Sequence, residues 1–227
     1  MNQVLPTGWM IFRGKKILIT AGGTREPIDP IRFIGNRSSG KQGFALTMAA
    51  ASRGAQVHLV IANSDLPNID GITTTAVETA EEMAAILNLE FPHCDALIMS
   101  AAVADAKVVN YSEGKIRKES LDKVELAKNP DILKSIAHIK RPGQIVVGFA
   151  AETMSSVDEL QKSGHEKLSS KNLDLIYVND VSDGAIFGQE KTKGIIIDNS
   201  NNVIKVPEIS KDTLADILLD QLVSKLG

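Results

Sequence analysis

Cysteine is almost missing from this chain: Cys94 is the only one among 227 residues. A single cysteine excludes an intramolecular disulfide and suits a reducing cytosol. It stands just before an apolar run and reads as a small buried residue, not as a nucleophile. Long hydrophobic runs are missing too. None approaches the ~18–20 apolar residues that a membrane span requires, and residues 1–13 lack the charged start and cleavage site of a secretory leader. Neither charge dominates. Lys and Arg number 25 against 28 Asp and Glu, a net charge of −3, so no bulk positive field speaks for nucleic-acid binding. His58, His93, His138 and His165 show no metal-ligand spacing, and no Ser-His-Asp elbow is present.

What is present is an ordinary globular composition, 43% apolar and 23% charged, with length enough for a sizeable core. The whole chain, 1–227, reads as one domain with residues 1–14 as an N-terminal extension. Apolar strand-like runs fall at 15–20, 56–62, 72–77, 95–101, 144–149 and 173–178, with a weaker one at 124–126. Helices are expected at 41–53, closed by Gly54, from a capping box at Thr79 to about residue 89, after Asn129 as N-cap with Pro130 at the first position, after a second box at Ser156, and over 212–226. Residues 110–119, polar and lysine-rich, are expected to form a mobile loop. Residues 194–198 and 202–206 suggest a β-hairpin. Repeated βα units with apolar strands give an α/β fold, a doubly wound and mostly parallel Rossmann-like sheet with a small C-terminal β-hairpin subregion.

The chain is organised around residues 20–43, which join the first strand to the first helix. Gly22 and Gly23 permit a sharp turn and a close backbone approach. Ser38, Ser39, Gly40 and the amides opening the helix suit an anion. Two prolines, two acids and three arginines lie within the connection, which is far longer than the ~2–6 residues usual for a βα loop. The dinucleotide fingerprint G-x-G-x-x-G is not supplied here. The P-loop pattern fits only as far as Gly35-Asn-Arg-Ser-Ser-Gly40-Lys41, where Gln42 replaces the magnesium-binding hydroxyl.

Chemistry in such sheets collects at the carboxyl ends of the strands. Five segments fall there: the opening connection, residues 100–105, 115–118, 128–131 and 149–152. Asp105 suits a ribose hydroxyl or a metal, and equally a helix start. Lys115, Arg117 and Lys118 suit closure over phosphates, or a solvated loop. Glu152, Lys167 and Lys171 are unremarkable one by one.

Together the segments are specific. Ile-Thr-Ala-Gly-Gly-Thr-Arg-Glu-Pro-Ile-Asp-Pro-Ile-Arg-Phe-Ile-Gly-Asn-Arg-Ser-Ser-Gly-Lys (19–41), Ser-Ala-Ala-Val-Ala-Asp (100–105), Lys-Ile-Arg-Lys (115–118), Lys-Asn-Pro-Asp-Ile (128–132), Val-Gly-Phe-Ala-Ala-Glu-Thr (147–153) and Lys-Asn-Leu-Asp-Leu-Ile (171–176) occur in that order. Over nearly the whole chain they resemble the phosphopantothenoylcysteine synthetase family of bacterial coenzyme A synthesis. The resemblance implies a ligase that joins 4′-phosphopantothenate to cysteine through an acyl-cytidylate, releasing pyrophosphate and CMP. It implies CTP as co-substrate more than ATP, with Mg²⁺ and without flavin, in a cytoplasmic homodimer that binds neither nucleic acid nor membrane. It also implies the stand-alone form, since many bacteria fuse this enzyme to a flavin-dependent decarboxylase.

By the same resemblance Asn36 would hold the substrate carboxylate and Lys115 would stabilise charge at the α-phosphorus. Ala101, Asp105, Pro130, Asp131, Ile132, Phe149, Lys167 and Lys171 would form the nucleotide site with Lys115, and Arg32 would bind substrate phosphate. Two departures stand out. The family's Lys-x-Lys-Lys loop is Lys-Ile-Arg-Lys here, and Arg does not replace Lys in geometry. A short insertion falls around residues 163–165, just before Lys167. A nicotinamide-dependent dehydrogenase and a non-catalytic nucleotide-binding module are the rival classes. NAD(P) binding would reveal the first, and CTP binding without pyrophosphate the second.

Overall fold

The computed structural model describes residues 10–120, 122–153, 156–181 and 189–226. The part of the proposed N-terminal extension at residues 1–9 lies outside them.

The chain opens with strand β1 (Lys16–Gly22), the hairpin strands β2 (Arg25–Asp29) and β3 (Arg32–Gly35), helix α1 (Lys41–Ser52), and strands β4 (Gln56–Ala62) and β5 (Thr73–Val77). Helix α2 (Ala80–Glu90), strands β6 (Ala96–Met99), β7 (Ala106–Val108) and β8 (Leu126–Lys128), and helix α3 (Ile132–Ile139) follow. Strand β9 (Ile145–Glu152), helix α4 (Val157–Ser170), strands β10 (Leu175–Asp180), β11 (Lys191–Asp198) and β12 (Val203–Ser210), and helix α5 (Lys211–Leu226) complete it.

One eight-stranded sheet runs β12-β11-β10-β9-β6-β1-β4-β5. Its pairs from β10 through β5 are parallel. The expected C-terminal hairpin forms its antiparallel end. Side chains alternate across a strand, and here both faces are buried. Ile17, Ile19 and Ala21 of β1 join Leu46 of α1 and Leu214, Leu218 and Leu222 of α5 in one core layer. Leu18 joins the opposite layer, with Met83 and Leu87 of α2, Ile136 of α3 and Leu160 of α4. Strands buried on both faces are continuous apolar runs, which is why β4 was legible from its first residue to its last.

The structure corrects several boundaries. The long connection, for which no strand was expected, holds the β2–β3 hairpin. The strand expected at 124–126 is β8, two residues later and off the main sheet, paired antiparallel with β7. The strand expected over 95–101 stops at Met99 because Ser100 and Ala101 turn toward Thr20. The Ser100 hydroxyl donates to the Thr20 carbonyl at 2.6 Å and the Ala101 N–H to Thr20 Oγ1 at 3.0 Å. Asp131, not Asn129, caps α3: its Oδ1 accepts the Lys134 N–H at 3.1 Å. Asn129 is used elsewhere, and Pro130 lies outside the helix. The expected boxes hold better. Thr79 and Glu82 bond reciprocally at α2, and Ser156 accepts the Glu159 N–H at 3.2 Å. Helix α4 runs unbroken through residues 163–165.

Candidate active site

The strand order reverses between β1 and β6: β4 lies on one side of β1, β6 on the other. Such a reversal opens a crevice at the strands' carboxyl ends. Gly22 turns out of β1 with φ +81°, and a Cβ there would lie 1.8 Å from the Ala62 carbonyl oxygen. No other residue fits. From this turn the chain makes the hairpin and returns to α1. Gly40, at φ +77°, is its N-cap and offers no side-chain cap. The first turn of α1 holds no acid, so the amides and positive dipole end at this start face the crevice unneutralised.

The crevice is lined by Ser38, Gly43, Ala101, Phe149, Asn179 and Lys211, among others. Its floor is polar and fixed. The Tyr177 hydroxyl lies 2.7 Å from Thr192 Oγ1, which donates to Asn179 Oδ1 at 3.0 Å, and burial pushes the Tyr177 phenol well up. Phe149 meets the Tyr177 ring edge-on at 5.6 Å. Lys211 is held below the ordinary lysine value by burial, then by the nearby Lys41 charge, with Glu190 opposing. Lys41 itself pairs with Glu190. Two cations beside an uncapped helix start make an anion-attracting end.

A second wall rises from residues 100–105. The Thr24 N–H donates to Ala102 O at 3.1 Å, and the Ala104 N–H to Thr24 Oγ1 at 2.8 Å. Asn36 is fixed on this wall, its amide donating to Val103 O at 2.9 Å. Asn129 stitches the next segment on: its N–H donates to Asp105 O at 2.9 Å and its side-chain amide to Ala104 O at 2.9 Å. Asn129 Oδ1 is buried with no hydrogen-bond partner among the described residues.

The expected site residues thus fall into three groups. Ala101 and Phe149 line the crevice, and Asn36 stands on its wall. Around the start of α3, Asp131 pairs with Lys171 at 3.0 Å, Pro130 is exposed, and Ile132 is a core residue at 4% exposure. Nearby, Lys167 pairs with Glu152, which also accepts the Ser163 hydroxyl at 2.7 Å. Burial raises the Glu152 pKa, but these two hydrogen bonds and the lysine charge outweigh it and hold the carboxyl below the ordinary 4.5. Lys115 and Asp105 are exposed, and neither lines the crevice. Arg32 lies apart from the crevice lining: its guanidinium donates to Asp29 at 3.1 Å and to Ile116 O at 3.3 Å.

Sequence reasoning missed Asn179, Lys211, Asn63 and Asp29. Asn63 follows β4 directly and donates to Gly23 O at 3.0 Å and Glu78 O at 2.9 Å. Asn63 and Asn179 were findable from the rule that strand ends carry the chemistry. Lys211 gives no local signal. No group of three His, Cys, Asp or Glu side chains capable of holding a metal gathers among the described residues. Cys94 is buried as expected, and burial first, then Glu90, raises its thiol to about 11.

Known proteins are similar to this chain in sequence and fold. The coenzyme A biosynthesis bifunctional protein CoaBC of Escherichia coli strain K12 is 39% identical over 220 residues, covering 92% of this chain and 52% of that protein. CoaBC of Mycobacterium tuberculosis strain H37Rv is 38% identical over 222 residues, covering 94% and 53%. The chain therefore spans about half the length of the curated relatives it matches. The crystal structure of the C-terminal domain of a CoaBC superposes with a TM-score of 0.81 at 33% identity, covering 96% of this chain and 98% of that one. With the family model matching residues 12–226, the chain belongs to the family described as the DNA/pantothenate metabolism flavoprotein C-terminal domain.

Proposed function

We propose that the protein is a phosphopantothenate–cysteine ligase acting in coenzyme A biosynthesis. The observation that carries this reading is the full-length likeness to the C-terminal domain of CoaBC, together with a crevice of matching chemistry at the sheet's reversal. The uncapped start of α1 beside Lys41 and Lys211 suits a phosphorylated acid. The separate wall around Asp105, Asp131 and Lys171 suits a nucleotide.

The substrate carboxylate attacks the α-phosphorus of the nucleotide, its P–O bond to pyrophosphate breaks, and an acyl-nucleotide remains. The cysteine amine then attacks the acyl carbon, loses a proton, and expels the nucleoside monophosphate. Activation is needed because a free carboxylate is a poor acyl donor. Bringing a carboxylate to a triphosphate requires cations. Lys115, exposed and next to a tethered peptide, supplies one at the α-phosphorus. Asn36 orients the carboxylate and then the acyl oxygen. Ala101, Asp105, Pro130, Asp131, Ile132, Phe149, Lys167 and Lys171 hold the nucleotide. Asp105 is the oxygen donor suited to a Mg²⁺ held mostly by phosphates and water, and the bound metal would neutralise those phosphates.

CTP is our preferred nucleotide over ATP, the cytoplasm our assigned compartment, and a second copy of this chain the proposed partner. Ile31, Phe33, Val109, Tyr111 and Leu126 on the two small ribbons are 48–60% exposed, an apolar surface suited to a twin.

The test is pyrophosphate release with phosphopantothenate, Mg²⁺ and either CTP or ATP, with and without cysteine. Pyrophosphate and monophosphate that depend on phosphopantothenate are expected, with CTP preferred. CTP binding with no pyrophosphate under any condition would make the protein a binding module.

A further inference from the structure

We infer that Asp29 is the positioning residue for Lys115, gripping with Arg32 both sides of the residue next to it before any substrate arrives. The inference rests on the ligase reading only for what Lys115 then does. Asp29 sits in the β2–β3 hairpin yet is only 2% exposed. Its Oδ1 accepts the Ile31 and Arg32 N–H groups at 3.0 and 2.9 Å, which fixes the carboxylate on its own turn. Its Oδ2 accepts the Ile116 N–H at 3.2 Å, across 87 residues of sequence. The same oxygen holds Arg32 Nη1 at 3.1 Å, and that nitrogen donates on to Ile116 O at 3.3 Å. A carboxylate takes several donors at once, and a guanidinium several acceptors, so the two together close on the N–H and the C=O of one residue. A second tether, Ser112 N–H to Ile28 O at 3.1 Å, holds the loop's upstream arm to the same hairpin.

Lys115, Arg117 and Lys118 meanwhile stay exposed. The arrangement fixes backbone and leaves charge free, which is what a cation aimed at a phosphate requires. It also accounts for the length of the opening connection. Glu26 of the same hairpin caps α2 through the Ala80 N–H at 3.0 Å, so each acid of the stretch secures a different piece of chain.

Asp29→Asn keeps the size but turns an N–H₂ toward one set of donors, so the grip on Ile116 should fail. Trypsin cuts after Lys115, Arg117 and Lys118, and native-state digestion read by mass spectrometry should show cleavage there at least about tenfold faster in the variant. The turnover number for pyrophosphate should fall about 10–100-fold, with KM for phosphopantothenate little changed, as expected for a displaced catalytic group. In the unmodified protein the Ile116 amide should exchange hydrogen at least about tenfold more slowly than its neighbours at 115 and 117. Equal trypsin rates in the two proteins, or an Ile116 amide exchanging at its neighbours' rate, would overturn the clamp. A protein that makes no pyrophosphate with any nucleotide would remove the ligase reading, while digestion and exchange would still decide the clamp.

Discussion

A Cβ at residue 43 would lie 2.5 Å from the Ala21 Cβ and 2.7 Å from the Thr20 carbonyl oxygen. The start of α1 therefore rests on β1 with no room for a methyl group. Gly43→Ala should lower stability by about 1–3 kcal/mol, the range for overpacking a tight contact, and urea unfolding would measure it. A loss well under that would mean that the helix start lifts freely. Asn36 and Lys115 belong to different halves of the proposed reaction and should fail differently. Lys115→Ala should cut pyrophosphate formation about 10²–10³-fold, the range for removing one preorganised charge-stabilising donor. Near-normal release would remove its assigned role. Asn36→Asp should slow amide formation by about 10²-fold while acyl-nucleotide accumulates, visible by quenched-flow chromatography. Unaltered turnover would count against a part for Asn36 in holding the acyl oxygen.

Elements differ in how openly the sequence announces them. β4, the box at Thr79 and α5 are local: each needs only its own period or its own cap, and each stands within a residue or two of its expected place. The β2–β3 hairpin was invisible because Pro27 and Pro30 and the charged residues beside them hide any strand period. The ribbon of β7 and β8 was nearly so, since three-residue strands exist only through their partner across the sequence. The misplaced cap of α3 has the same origin. Asn129 has the right chemistry for a cap, but its side-chain N–H₂ donates to Ala104 O, a contact from 25 residues away, and its Oδ1 accepts none of the N–H groups opening α3. For the site, Ala101 and Phe149 were legible because they end strands, and Lys211 was not, because it begins a helix far along the chain. Asp131 offers a test at this scale, being at once cap and partner of Lys171. Asp131→Asn keeps the capping oxygen and removes the charge pair. Since exposed pairs contribute only about 0–1 kcal/mol, stability should change little, whereas the apparent KM for the nucleotide should rise if Lys171 is positioned by it. Asp131→Ala should add about 1 kcal/mol of destabilisation through the lost cap.

For the molecule as a whole, the acid limit is set by depressed carboxylates: among the described residues Glu190 is lowered by its hydrogen bond to Lys41, and three more lie deeper. Asp29, Glu152 and Asp198 are each raised by burial but lowered further by the hydrogen bonds and cations around them, so all three end below their ordinary values of 3.8 for Asp and 4.5 for Glu. Groups depressed in the folded state take up protons first in the unfolded one. Their stabilisation is complete above about pH 5 and should fade as pH drops through 4.5 and below, so urea midpoints should be flat from pH 6 to 8 and fall only in acid. Association belongs to this scale as well. Phe33 is 50% exposed with Arg25 stacked over its ring at 4.5 Å. If a second copy covers this face, Phe33→Glu should halve the sedimenting mass, and an unmodified protein that sediments as a monomer would refute the pairing.

Helix α5 has one more effect. Its Leu214, Leu218, Leu219 and Leu222 complete the same core layer that begins with Phe12 and Ile17, and Leu226 accepts a hydrogen bond from Lys15 at 3.4 Å. Helix α1 covers the β1 and β4 side of that layer, and α5 packs beside α1 over β9, β11 and β12. That part of the sheet's apolar face stays uncovered on a nascent polypeptide until α5 has been made, so the layer closes only once the antiparallel end and its helix are both present.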